Sequence, residues 1–326
     1  MNDNRTTINW DKLRDPVILR GDKRTAYRDA AAHYHRGTFR IYHSVTTLKD
    51  DGALVFQVGM TKSADLINWT EPVIVSPENT DTNFGDPGNV IRFRDRWIMC
   101  LESYPCPPTG NSWDARIYTM ESDDLESWSE PELLMVKGPN LPEKEMGRVI
   151  GPYLFKDKDD DKKWWCFFKH GGIVIHQPKN LAFGGSDLPP SSILMQSLHM
   201  SFSYDLKNWV YYGCTNSEEN YCVLVDNDEY VLIDSPGNGV GVKLSKDLIN
   251  WSEVGLFTFG QRRWPWAQGR LTAGHVLDLR NLPEVGKFFM VFHGCSVEGK
   301  LRSNVHGEAC LAIAWSDDLQ RWYWPE

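Results

Sequence analysis

The chain has 326 residues, of which 41% are apolar and 24% are charged, a composition that excludes disordered, collagenous and coiled-coil proteins. Its formal net charge is −9 and it has no long basic run, so we expect no nucleic-acid partner. No window approaches eighteen uninterrupted apolar residues and the N-terminus lacks a signal-peptide pattern, so we expect a cytoplasmic protein without a membrane partner.

Residues 1–26 precede the first repeated element, and we interpret them as an N-terminal arm that wraps the outside of the domain or crosses one face. Beyond residue 26 the pattern SxDLxxW occurs five times. Its Ser and Asp can hydrogen-bond the backbone of a turn, while its Leu and Trp can pack between sheets. The five copies end at Trp69, Trp128, Trp209, Trp251 and Trp322.

Each copy follows the same order of predicted strands. A short apolar strand and a polar turn precede a second run rich in aromatic and β-branched residues, such as FRIYHS or FFMVFHG. A third strand leads into the motif, and a fourth follows its Trp. The repeat predicts an all-β fold, a five-bladed β-propeller with four-stranded antiparallel blades, in preference to a β-sandwich. We place the single domain at 27–326, with blades at approximately 27–76, 84–134, 148–213, 216–257 and 270–326.

Propeller geometry predicts where functional side chains meet. Because the strands of a blade are antiparallel, the start of the inner strand and the end of the second strand lie on one face, around the channel mouth. Acidic residues open three of the five inner strands, and an ionisable residue ends every second strand. The predicted starts are Asp29, Asp86, Gly151, Glu218 or Glu219, and Thr272, and the predicted ends are His43, Glu102, Lys169 with His170, Asp234 and His293.

Carboxylates gathered at one mouth supply what glycosidic bond cleavage requires. One activates water or attacks the anomeric carbon, and another protonates the leaving oxygen. Like charges held together raise the pKa of one member and keep it protonated near neutral pH. We therefore predict Asp29, Asp86 and Glu218 as catalytic residues. Substrate contacts are predicted for polar and aromatic residues near the same mouth: Arg28, His43, Glu102, Trp113, Arg148, His170, Glu219, Asp234, Arg270, His275 and His293.

Five blades, with an Asp opening the first inner strand and a Glu opening the fourth, resemble the five-bladed propeller glycosidases, which include glycoside hydrolase families 43, 117, 32 and 130. The resemblance covers essentially the whole chain. Family 43 has an Asp base on blade one, a pKa-modulating Asp on blade three and a Glu acid on blade four, which implies Asp29 as the base and Glu218 as the acid. Gly151 stands at the expected Asp of blade three and leaves Asp86 as its substitute. In family 117 a His can serve as the acid, which makes His275 an alternative.

The leading functional hypothesis is a glycoside hydrolase acting on a small oligosaccharide, with inversion implied by the family resemblance. A glycoside phosphorylase like family 130 is the second hypothesis, in which Arg148, Arg270, Lys169 and His170 bind phosphate. A non-catalytic carbohydrate-binding propeller is the third. Its carboxylates would be paired in salt bridges rather than open to a cavity.

We expect no cofactor and no metal site. The seven cysteines show no CxxC spacing, and four lie in apolar strand-like runs, which favours reduced thiols over a disulfide framework or a zinc site. A channel Ca²⁺ held by His275 and His293 is the alternative, although hard cations prefer oxygen ligands.

Overall fold

The computed structural model describes residues 6–105, 114–142, 146–171, 197–216, 219–236, 238–302 and 307–325. Its strands form five antiparallel sheets, one for each predicted blade, which confirms the five-bladed, all-β architecture. Helices are short, as in Val297–Arg302, and within these ranges none has the length and apolar character that a bilayer crossing requires. The six cysteines that fall in the same ranges are buried free thiols.

Four blades consist of four strands that are consecutive in the chain, and β1 (Val17–Leu19) precedes them. Blade one contains β2 (Thr25–His35), β3 (Thr38–Leu48), β4 (Leu54–Ser63) and β5 (Val73–Ile74), and blade two contains β6 (Phe84–Phe93), β7 (Arg96–Ser103), β8 (Ile117–Ser122) and β9 (Glu132–Leu133). Blade three contains β10 (Arg148–Lys156), β11 (Trp164–Gly171), β12 (Ser197–Ser203) and β13 (Val210–Asn216), and blade four contains β14 (Glu219–Asp226), β15 (Glu229–Ser235), β16 (Val240–Ser245) and β17 (Ser252–Phe257).

Blade five is completed by both ends of the chain. Its first three strands are β18 (Arg270–Asp278), β19 (Phe288–Cys295) and β20 (Cys310–Ser316). The outer edge of β20 pairs with β21 (Trp322–Tyr323) near one end and with β1 near the other. A strand from the predicted N-terminal arm therefore ties the start of the chain to the last blade.

The inner strands of the blades form the ring around the axis. Strands β2, β6, β10, β14 and β18 contact one another in that order, and β18 also contacts β2. Between the blades lie aromatic side chains that are almost completely buried, and each contributes about 1.5–3 kcal/mol through removal from water. They include Phe39, Tyr42, Phe167, Phe288 and Phe292.

The SxDLxxW copies form a repeated turn after the third strand. In the first copy Ser63 Oγ accepts the backbone N–H groups of Asp65 at 3.2 Å and Leu66 at 2.8 Å. The Asp65 carboxylate accepts the N–H of Ile67 at 2.9 Å, and Trp69 Nε1 donates to the Leu66 carbonyl at 3.1 Å. The Leu of every copy has a φ between 60° and 68°. Burial of the Leu side chain offsets the cost of this left-handed backbone, which is about 1–2 kcal/mol per residue. Because the Ser, Asp, Leu and Trp side chains all stabilise the turn, we assign the motif a structural role.

Candidate active site

A β-bulge at the same place in each inner strand shapes the site. In all five blades the register with the second strand shifts there. One residue of each bulge has a φ of 43–58°, and we call these five the bulge residues: Asp29, Asp86, Gly151, Asn220 and Ala273. Gly, Asn and Asp tolerate this left-handed region best, which accounts for four of the five positions. All five bulge residues line the axis of the propeller.

A second ring of residues surrounds the bulges. We call them the facing residues, because each pairs with the residue just before a bulge residue: Ser44, Glu102, Lys169, Ser235 and His293. Four of them accept the backbone N–H of a bulge residue in the next blade of the ring: Ser44 from Asp86 at 2.7 Å, Glu102 from Gly151 at 2.5 Å, Ser235 from Ala273 at 2.8 Å and His293 from Asp29 at 3.1 Å. These bonds join neighbouring blades and hold the walls of the site.

A cavity of about 210 Å³ opens at the axis, and residues of all five blades line it. Among the residues that the structure describes, its acidic side chains are Asp29, Asp86 and Glu102. Beyond the bulges the channel narrows to a space of about 20 Å³ beside His275, which is room for about one water molecule. We call the residues around this narrow space, His275 among them, the floor of the cavity. The rest of the cavity wall consists of Arg28, Tyr104, Arg148, Ile150, Gly151, Lys169, Asn220, Arg270 and His293.

Asp29 lies between a cation and an imidazole. Its carboxylate is 3.3 Å from Arg28 Nη2 and 3.7 Å from His293 Nδ1. Because His293 Nδ1 accepts the Asp29 backbone N–H, that ring nitrogen carries no proton. Ser44 Oγ lies 3.5 Å from the same carboxylate. The Asp29 carboxyl also lines the cavity, where it can contact a water molecule and take a proton from it.

Glu102 is a buried carboxyl group in the cavity wall. Burial raises the pKa of Glu102 to about 7, and the nearby Asp29 charge contributes in the same direction. The Gly151 N–H and the positive charges of Arg148 and Lys169 lower the pKa but do not cancel the effect of burial. A carboxyl group with this pKa holds a proton about half the time at neutral pH, so Glu102 can act as a proton donor.

No protein-family model and no curated protein sequence matches the chain. Solved structures do match it over nearly its whole length. The RS223 β-xylosidase has a TM-score of 0.59 at 13% identity and covers 89% of this chain and 92% of its own. The Xanthomonas citri GH43_1 enzyme complexed with xylose has a TM-score of 0.58 at 12% identity, covering 92% and 90%. A further glycoside hydrolase has a TM-score of 0.62 at 13% identity and covers 97% of both chains. This chain shares their five-bladed fold.

On this fold the structure brings most of the predicted site residues together. Glu218 and Trp113 lie outside the described residues, and Glu219 is described only as the first residue of β14. Asn220 is the bulge residue of blade four, and Ala273 rather than Thr272 is that of blade five. The predicted residues that line the cavity or its floor are Arg28, Asp29, Asp86, Glu102, Arg148, Arg270, His275 and His293.

Three predicted substrate contacts do not line the cavity. Burial lowers the pKa of His43 to about 4 and that of His170 to about 3, so both rings are neutral near pH 7. Each of the three is buried inside a blade with a partner of its own: His43 packs edge-on against Tyr27, His170 Nε2 lies 3.3 Å from the Met146 carbonyl, and Asp234 forms a 2.8 Å ion pair with Lys243.

These three predicted contacts lie one position from facing residues, of which Lys169 lines the cavity and Ser44 and Ser235 bind the next blade. His43, His170 and Asp234 each lie next to a facing residue in the chain, and neighbouring side chains of a strand point to opposite faces. Tyr104 and Asn220 line the cavity and were not predicted. The sequence did contain a signal for Asn220. Asn, like the Asp at positions 29 and 86, tolerates a backbone with positive φ, and Asn220 stands at the same place in its strand.

The sequence left two alternatives at the axis. One is His275 as the catalytic acid, and the other is a Ca²⁺ ion held by His275 and His293. Burial lowers the pKa of His275 to about 3, and its Nδ1 accepts the Ala32 N–H at 3.3 Å. The ring is therefore neutral at physiological pH and is a poor proton donor. Among the residues that the structure describes, no group of three or more His, Cys, Asp or Glu side chains is placed to hold a metal ion.

Proposed function

We propose that this protein hydrolyses glycosidic bonds of a small oligosaccharide or glycoside in the axial cavity. The observation that carries the proposal is a pair of carboxyl groups in the cavity wall with different surroundings. Asp29 lies beside the Arg28 guanidinium, whereas burial raises the pKa of Glu102 to about 7. Such a pair supplies the base and the acid of glycoside hydrolysis. The fold shared with the β-xylosidase and the GH43_1 enzyme adds support by analogy.

In the proposed reaction Asp29 takes a proton from a water molecule as that water attacks the anomeric carbon. Glu102 donates its proton to the leaving oxygen as the glycosidic bond breaks. Attack and departure on opposite faces invert the anomeric configuration, in line with the resemblance to family 43. The negative charge of Asp86 stabilises the oxocarbenium character of the transition state. Solvent then reprotonates Glu102 and accepts the proton from Asp29.

The position of the carboxyl groups in the cavity wall favours an enzyme over a binding module. A non-catalytic propeller would have its carboxylates closed off in salt bridges. Asp29 does pair with Arg28, but Asp29, Asp86 and Glu102 all line the cavity, where a bound sugar would contact them.

The test is an activity screen of the wild-type protein with matched α- and β-linked 4-nitrophenyl glycosides and short oligosaccharides. Each substrate is incubated with and without inorganic phosphate, and proton NMR identifies the first product. We expect release of a free sugar of inverted configuration that does not require phosphate. A sugar 1-phosphate that forms only when phosphate is present would show that the reaction is phosphorolysis and not hydrolysis. Binding without turnover across the screen would contradict the catalytic proposal.

A further inference from the structure

The face of the propeller opposite the cavity has five hairpin turns. Each inner strand begins near the cavity, so the turn that joins it to the second strand lies at the other end of the channel. We call this end the far face. All five turns fall in described ranges: 36–37, 94–95, 157–163, 227–228 and 279–287. Their charged residues form two patches of opposite sign.

The basic patch lies where blades one and two meet. Its three arginines are exposed, and none of them forms an ion pair within the part of the chain that the structure describes: Arg36, Arg92 and Arg94. The Arg92 guanidinium lies 4.8 Å from the Trp97 ring, which also contacts His35, the neighbour of Arg36, at 5.1 Å. Stacking of this kind uses the face of the guanidinium and leaves the N–H groups at its edge able to bind a carboxylate.

The acidic patch lies where blades three and four meet. Asp161 is exposed and has no ion pair among the described residues. Asp228 is 92% exposed and lies 3.6 Å from Lys158 Nζ, while Asp159 is 69% exposed and lies 2.8 Å from the same nitrogen. The Lys158 side chain is only 10% exposed and lies along the Tyr230 ring. The carboxylates are therefore more accessible here than the ammonium between them.

Each patch keeps a surplus of one sign after all its charged residues are included. The basic patch, which is Arg36 with 92–95, contains three arginines and one Asp, a formal charge of +2. The acidic patch, which is 157–163 with Asp228, contains five aspartates and three lysines, a formal charge of −2. Charged residues just beyond the patches pair within the chain, as Arg96 does with Asp123 at 2.6 Å.

The positions of the patches allow two copies of the chain to match each other. The blades follow one another around the axis in chain order. A two-fold axis that lies in the far face and passes through blade five exchanges blade one with blade four and blade two with blade three. Each basic patch then faces the acidic patch of the other copy. The contact forms twice, which is the geometry of a closed, isologous dimer.

We propose that the far face binds a second copy of this chain and forms a two-fold dimer through the basic and acidic patches. Guanidinium groups bind carboxylates with two parallel hydrogen bonds, and complementary charge fixes the orientation of the partners. The cavity of each copy opens on the side away from the contact. The inference therefore does not depend on the proposed function.

Sedimentation velocity of the wild-type protein over a range of protein concentrations tests the proposal. We expect a dimer at low ionic strength that dissociates as the salt approaches about 1 M, because salt screens exposed charges. A monomer under all conditions would overturn the inference and would leave the patches to a partner of different composition. A dimer that salt does not weaken would also overturn it, since its contact would not be electrostatic.

Charge reversal supplies matched variants for the same measurement. Arg92→Glu with Arg94→Glu makes both patches of a copy acidic, and Asp161→Lys with Asp228→Lys makes both basic. Like charges then face each other, so we expect the dissociation constant of each variant to rise about 100-fold or more. An equimolar mixture of the two variants should recover the dimer, because every acidic patch then meets a basic one.

The control is Arg262→Glu with Arg263→Glu. These arginines are also exposed, but they lie in the turn Gln261–Arg263 before β18, at the cavity end. This change of charge away from the far face should leave the dimer intact, and thermal unfolding shows whether all three variants are folded. Reversal variants that dimerise as well as the wild type would contradict the inference, and so would a mixture that stays monomeric.

Discussion

Replacement of Asp29 by Asn is expected to remove nearly all glycoside cleavage while the protein stays folded. Asn matches Asp in size and tolerates the positive φ of this position. It cannot take a proton from water, and loss of a general base lowers the rate about 10²–10⁴-fold. Steady-state kinetics measure the loss, and thermal unfolding shows whether the variant is folded. Activity close to that of the wild type would remove Asp29 from the mechanism.

Asp86→Asn is the matched control for this experiment. Asp86 is the bulge residue of the next blade, lines the same cavity and has nearly the same φ. If Asp29 is the base, the Asp86 variant loses a stabilising charge but keeps the proton transfer, so its loss of rate is the smaller one. A larger loss for Asp86→Asn would exchange the roles of these two residues.

Replacement of Glu102 by Gln is expected to change both the rate and its pH dependence. Burial raises the pKa of Glu102 to about 7, and only the protonated form is an acid. For the wild type, kcat/KM therefore falls as the pH rises through about 7. In Glu102→Gln we expect the fall of kcat/KM above pH 7 to disappear. We also expect the rate to drop about 10²–10⁴-fold on substrates with a poor leaving group. The loss is smaller with a 4-nitrophenolate leaving group, because that group departs without protonation.

Glu218→Gln tests the competing acid. The resemblance to family 43 implies Glu218, which lies outside the described residues, whereas Glu102 lines the described part of the cavity. We expect the alkaline limb near pH 7 to persist in Glu218→Gln and to disappear in Glu102→Gln. The reverse result would return the role of the acid to Glu218 and leave Glu102 as a residue that positions Gly151 through its 2.5 Å hydrogen bond.

The fold was predictable because its repeated turn has a strong local signature. In the turn at Ser63–Trp69, Ser, Asp and Trp all bond to the backbone of a few adjacent residues. Such short-range chemistry appears in the sequence as fixed spacing. The pairing of β1 with β20 was not predictable in the same way. It joins residues almost 300 positions apart through three residues, too few to show a period.

Part of the candidate site was predictable from the sequence. Asp29 and Asp86 were found because an acid stands before each predicted apolar strand, although the structure begins these strands earlier, at Thr25 and Phe84. His43 and Asp234 lie in the second strands β3 and β15 one position from the facing residues Ser44 and Ser235, and neighbouring side chains of a strand point to opposite faces. The raised pKa of Glu102 comes from burial and from the charge of Asp29 in the neighbouring blade, neither of which a linear sequence displays.

The most direct test of the central claim is a crystal structure of the Asp29→Asn protein soaked with a glycoside that the wild type cleaves. The sugar should occupy the axial cavity, with its anomeric carbon facing residue 29 and its glycosidic oxygen within hydrogen-bond reach of Glu102. A sugar bound on the outside of the blades, with the cavity filled only by solvent, would contradict the account.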